Sequence, residues 1–182
     1  MHRLVPAALL VLLACGGTTP TPDSGQPPPQ IFIAVERDFA VWTNWQSFDL
    51  GDQPADTVHL GGHRTIYLNK APPHGATAFP VGTIMVKTVS PDADGGTTPD
   101  GGTLQIFAMA KRGGEYNSDG AAGWEWFELN DTSQPANWAW RGTQPPAGQG
   151  YGGVAGGQCN TCHMNAAGND CVESPKLALD NF

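Results

Sequence analysis

GTIMVKTVS, residues Gly82 to Ser90, alternates in a way that only a strand makes sense of. In a pleated strand Thr83, Met85, Lys87 and Val89 share one face, and Ile84, Val86 and Thr88 share the other. Its β-branched content favours extended backbone over a helix, and glycine and proline bound it. Segments of the same character lie on either side: RTIYLN (Arg64 to Asn69), TLQIFAMAK (Thr103 to Lys111) and WEWFEL (Trp124 to Leu129), separated by Gly, Pro and Asp clusters. Together they predict a mainly β domain (α+β): an antiparallel sheet with few helices. The polar run PDADGGTTPDGG, Pro91 to Gly102, suits a long hairpin loop; its aspartates lack the terminal bidentate glutamate of a calcium loop and read as solvated. Upstream, RDFAVWTNWQSFD (Arg37 to Asp49) spaces Phe39, Trp42, Trp45 and Phe48 three apart, which we read as an amphipathic helix with its aromatics toward the core.

The beginning of the chain is of a different kind. Met1-His2-Arg3 is a basic start, and Leu4 to Ala14 is an apolar run of eleven residues, too short to span a bilayer and suited to a secretory signal. Leu12-Leu13-Ala14-Cys15 matches the bacterial lipobox, so Cys15 is the expected lipidation site. Residues 16–30, rich in Pro, Gly, Thr and Ser, cannot bury enough apolar surface to fold and read as a tether. The expected organisation is therefore a lipoprotein signal peptide (1–14), a lipidated cysteine with its linker (15–30) and one domain (31–182). Such a protein would be lipid-anchored to a bacterial membrane, facing the periplasm or the cell surface. Gly16, rather than Asp, after the cysteine points to the outer membrane. After cleavage eight Lys and Arg face seventeen Asp and Glu, which argues against nucleic acid or anionic lipid as a partner.

Near the other end, GGQCNTCHMN (Gly156 to Asn165) could be a disulfide corner, half of a zinc site or a covalent haem attachment point. With Cys15 lipidated, Cys159, Cys162 and Cys171 remain, an odd number that no disulfide framework closes. Zinc is disfavoured because the adjacent Cys162 and His163 do not readily face one tetrahedral centre. The haem reading uses all three motif residues: Cys159 and Cys162 as thioether links and His163 as axial iron ligand, one haem c per chain. Cys171 then reads as a small buried apolar residue. Nineteen residues follow His163, and their one methionine, Met164, adjoins the ligand and cannot reach the opposite side of the iron. His59, His63 and His74 are candidates for a sixth ligand, although each lies near Gly or Pro and reads as a loop histidine. Twenty-four Gly and sixteen Pro leave no room for a four-helix cytochrome. Trp124, Trp126, Trp138 and Trp140 read as core or as walls of a haem pocket.

Taken in order, RTIYLN, FPVGTIMVKTV, LQIFAMAKR, GWEWFEL and CNTCH with Asp170-x-Val172 behind it resemble the cytochrome P-460 family, including its relatives called cytochrome c′-beta. The resemblance implies an antiparallel sheet, a single c-type haem with a vacant or water-bound distal site, and a homodimer. Members of the P-460 type oxidise hydroxylamine and join a lysine to the porphyrin edge; the c′-beta type lacks that bond and binds nitric oxide or carbon monoxide. Lys87 falls where the cross-linking lysine lies, whereas Phe107 stands in place of the distal glutamate, leaving Glu115 and Glu128 as candidate acids. Two main expectations follow: an oxidoreductase that takes electrons from a small nitrogen compound to a periplasmic electron-transfer protein, or a scavenger or sensor of a diatomic gas. A plain electron carrier is the third.

Overall fold

The computed structural model describes residues 29–54, 61–90, 104–130, 137–146, 150–151, 154–155 and 158–182. Cys15 and the signal and tether segments up to residue 28, His59 and the aspartate-rich loop lie outside the described residues. Six strands form one antiparallel meander in sequence order: β1 (Gln46–Gln53), β2 (Gly62–Leu68), β3 (Ile84–Ser90), β4 (Gln105–Lys111), β5 (Trp124–Leu129) and β6 (Trp138–Gly142). A small ribbon, β7 (Gly150–Tyr151) with β8 (Val154–Ala155), leads to α1 (Gln158–His163), and 3₁₀ turns carry the chain from there to its last residues.

The sheet is covered on both faces, which is why its central strands read as nearly continuous apolar runs. One face buries Leu68, Met85, Met109, Trp124 and Trp126 against Val172, Leu177 and Leu179 of the C-terminal segment. The other buries Ile84, Val86, Ile106 and Phe127 against Phe39 and Trp42. Each such side chain contributes roughly 1.5–3 kcal/mol when fully buried, so both layers are needed. The Asn69 side chain bridges the two ends of the connection from β2 to β3. Asn69 donates through Nδ2 to the Gly82 carbonyl (3.0 Å) and accepts through Oδ1 from the Ile84 amide (2.8 Å), while Gly82 takes a φ of 84°.

The helix expected over Arg37 to Asp49 is not formed. Glu36–Phe39 and Trp42–Asn44 are 3₁₀ turns, and the chain then extends into β1. The backbone leaves the helical region at Val41 (φ −131°) and again at Trp45 (φ −73°, ψ 167°), so no continuous helix carries the four aromatics. Phe39, Trp42 and Trp45 accordingly pack on one face of the sheet, and Phe48, already in β1, packs on the other.

Candidate functional site

In α1 the thiols three residues apart and the histidine that follows project from one side of a single turn. What fixes that turn to the sheet is Asn160, between the cysteines. Its Oδ1 accepts from Asn117 Nδ2 (2.8 Å), from the Ala121 amide (3.2 Å) and from Trp126 Nε1 (3.0 Å). Its Nδ2 donates to Asn117 Oδ1 (3.0 Å) and to the Thr143 carbonyl (3.1 Å). The approach is so close that a Cβ on Gly120 would lie 2.3 Å from the Asn160 amide, so only glycine fits. Asn117 holds its side of the contact at a φ of 55°, a left-handed conformation that asparagine tolerates better than most residues.

His163 donates from Nδ1 to the carbonyl of Cys171 at 2.7 Å, and its ring packs 4.6 Å from that of Trp126. A carbonyl only accepts, so the proton resides on Nδ1 and the lone pair of Nε2 is left for a metal. Burial lowers the imidazole pKa below its ordinary value, with the carbonyl bond acting in the opposite sense, and this keeps the ring in its neutral, ligating form. Burial also pushes the Cys159 thiol up to about 11, against the pull of the Lys87 ammonium. Cys159, Cys162 and Cys171 are free thiols, Cys171 buried as expected. Among the described residues no group of three or more His, Cys, Asp or Glu side chains could hold a bare metal ion.

Cys159, Cys162 and His163 open on a cavity of about 370 Å³, within the range of small-molecule sites. Its sheet wall is a row that runs across the strands. Ile66, Lys87, Phe107, Glu128 and Trp140 are successive register partners on β2 to β6. All but Glu128 line the cavity. Lys87 Nζ lies 5.9 Å from the centre of the Phe107 ring, and Trp140 donates from Nε1 to Glu128 Oε2 at 2.7 Å. Met85, Met109 and Trp126 complete the apolar wall, with Arg64, Glu173 and Lys176 also lining the cavity.

Lys87 and Phe107 are thus brought together with the cysteine–histidine motif, and Glu128 stands on their row. Glu115 is not brought there: it is exposed in the turn after β4, where Gly113 and Gly114 take positive φ and carry the chain away from the cavity wall. His63 lies between Asp49 (3.0 Å) and Asp52 (3.1 Å), His74 donates to the Phe182 carbonyl, and neither lines the cavity. Met164 is exposed; Met85 and Met109 are the methionines at the cavity. Trp126 and Trp140 wall the cavity, Trp124 is core beneath the same face, and Trp138 packs on the opposite face with Phe39 and Phe127. The sequence reading had no signal for Asn160, Arg64, Met109, Glu173 or Lys176.

An apolar cavity that receives two thiols and a neutral imidazole from one helical turn, with Arg64, Lys87 and Lys176 on its lining, has the donor set of a c-type haem site. That chemistry defines the class, a c-type haem protein on an antiparallel sheet. The cytochrome P-460 family model matches residues 40–173, most of the chain, and the chain belongs to that family. It binds one c-type haem per chain. Comparison with curated proteins and with solved structures found no match.

Proposed function

We propose that this protein is an exported monohaem cytochrome that oxidises hydroxylamine or a similarly small nitrogen compound and passes the electrons to a periplasmic acceptor. In this reading it is anchored through a lipid on Cys15, at the outer membrane, and works as a homodimer. The observation that carries the proposal is Lys87. Its amine belongs to the same cavity wall as the motif residues, and its charge acts on both Cys159 and His163.

Cys159 and Cys162 would hold the haem through thioether bonds, and His163 Nε2 would ligate its iron. The haem, when bound, would supply a one-electron redox centre. Trp126 and the Cys171 carbonyl hold the imidazole, Met85 and Met109 would exclude water, and the Lys87 amine on the same lining would be the group to react with a bound macrocycle. Oxidation would release protons as well as electrons, and Glu128, held by the Trp140 indole on this row but not on the cavity lining, would receive them by relay rather than directly. A second reading, capture of nitric oxide or carbon monoxide, is favoured by Phe107, whose apolar ring selects a small neutral diatomic.

Lys87→Ala decides between them. The variant should keep haem attached through Cys159 and Cys162, change the ferrous absorption spectrum and abolish hydroxylamine turnover while still binding nitric oxide. If the spectrum and any hydroxylamine turnover are both unchanged, the amine is not joined to the macrocycle and gas binding becomes the better reading.

A further inference from the structure

The carbonyl that receives the His163 Nδ1 proton belongs to a left-handed turn that local backbone bonds close, Cys171 N to Ala166 O at 2.9 Å and Val172 N to Asn169 O at 3.0 Å, and that side chains fix to the sheet. Asp170 and Cys171 take φ values of 51° and 63°, two consecutive side-chain-bearing residues in the left-handed region. Such a conformation persists only where its surroundings impose it. Here they do so through Asp170. Its Oδ1 accepts from Lys111 Nζ at 2.5 Å, its Oδ2 from the Phe79 amide at 2.9 Å, and its own carbonyl from Trp124 Nε1 at 2.7 Å. Lys111 is pinned in turn: its ammonium also donates to the Ala122 carbonyl (3.1 Å) and lies 5.0 Å from the centre of the Trp124 ring. Both charged side chains are about nine-tenths buried.

We propose that the Lys111–Asp170 ion pair is a positioning device for His163: by clamping the Asp170-Cys171 backbone it aims the Cys171 carbonyl at Nδ1 and so sets the electron donation of the imidazole to the haem iron. The inference rests on His163 being the axial ligand. A firm acceptor at Nδ1 makes the imidazole more basic, strengthens its bond to iron and favours the ferric state. Loosening the clamp therefore weakens the iron–histidine bond and raises the reduction potential.

The sign of the effect separates this role from simple electrostatics. As bare charges, removing the Lys111 ammonium would lower the potential and removing the Asp170 carboxylate would raise it. As parts of a clamp, both substitutions raise it. Lys111→Met and Asp170→Asn, matured with haem, should both lower the iron–histidine stretching frequency in resonance Raman spectra of the ferrous protein. Both should raise the midpoint potential, with a tenfold change in the ferric-to-ferrous equilibrium reading as about 59 mV for one electron. Glu125→Gln serves as the control. It breaks a buried ion pair with Arg112 and Arg141 that lies across the sheet and should leave the stretching frequency where it is. Potentials that move in opposite directions with an unchanged frequency, or no movement in either variant, would overturn the proposal. If neither variant matures, Trp124→Phe, which removes the donor to the Asp170 carbonyl, must shift frequency and potential the same way or the clamp is wrong. A wild-type protein with no iron–histidine band would instead remove the axial assignment itself.

Discussion

Asn160→Ala takes away the side chain that docks α1 on the sheet, and the structure allows its cost to be worked out bond by bond. Two donors, the Ala121 amide and the Trp126 indole N–H, lose their acceptor at residues that are 0% and 4% exposed. A buried donor left without a partner costs about 1–3 kcal/mol. Asn117 keeps its bonds to the Ala121 and Trp124 carbonyls, and the Thr143 carbonyl can turn to water, so these add little. Allowing for partial entry of water beside the indole, the variant should be about 3 kcal/mol less stable, an unfolding midpoint lower by roughly 6–12 °C for a domain of this size. The assay is urea unfolding of the haem-free protein, followed by tryptophan fluorescence, with thermal unfolding in parallel. Asn160→Asp keeps an acceptor for both donors and should recover part of the loss. A change below about 0.5 kcal/mol at constant denaturant slope, as for an ordinary surface substitution, would refute the view that this asparagine anchors the helix.

The double variant Cys159→Ala, Cys162→Ala should carry no covalent haem, whereas the wild type matured with haem should show the added mass; mass spectrometry after denaturation reads this directly, and retained haem mass in the variant would contradict the attachment sites. A pH dependence follows from His163. Because burial lowers its pKa in the folded state, the unfolded chain binds the proton more readily, so its contribution is intact above the unfolded value of about 6.5 and is lost as pH falls from there toward the folded value. Urea midpoints of the haem-free protein between pH 8 and 5 should therefore fall more steeply in the wild type than in His163→Gln, and equal slopes would exclude the effect.

The parts of the molecule legible in its sequence are those whose chemistry is local. β2 to β5 could be read because β-branched and aromatic residues alternate within each and glycine or proline bounds them. β1, QSFDLGDQ, has no β-branched residue at all; it is a strand because β2 pairs with it, and that information lies outside the segment. The aromatics before it stand three apart in sequence but in different elements, two short 3₁₀ turns and the start of β1, so their interval does not mark a helix. At the site, Cys159, Cys162 and His163 are readable because covalent attachment and ligation fix their intervals. Asn160 is not, since its partners Asn117, Ala121 and Trp126 come from a turn and strand far upstream. Lys111 and Asp170 are likewise brought together by folding alone, 59 residues apart. Glu115 is as good a carboxylate as Glu128 in the sequence, and only the register, which places the second beside Phe107, separates them.

The cavity row has a consequence for how this pocket can change over time. Its five members are about 4.8 Å apart along the hydrogen-bonding direction, yet each belongs to a different strand. One codon therefore resets one rung, amine, ring or carboxylate, while the backbone ladder beneath stays as it was. Insertion or deletion has the opposite character. A one-residue slip in β4 would turn Phe107 to the far face and put a neighbouring small or aliphatic side chain in its place, and all the other side chains of that strand would change sides with it. Chemistry in this wall is thus open to drift by substitution and closed to drift by length, so relatives with different reactivity are expected to differ at single rungs over strands of equal size.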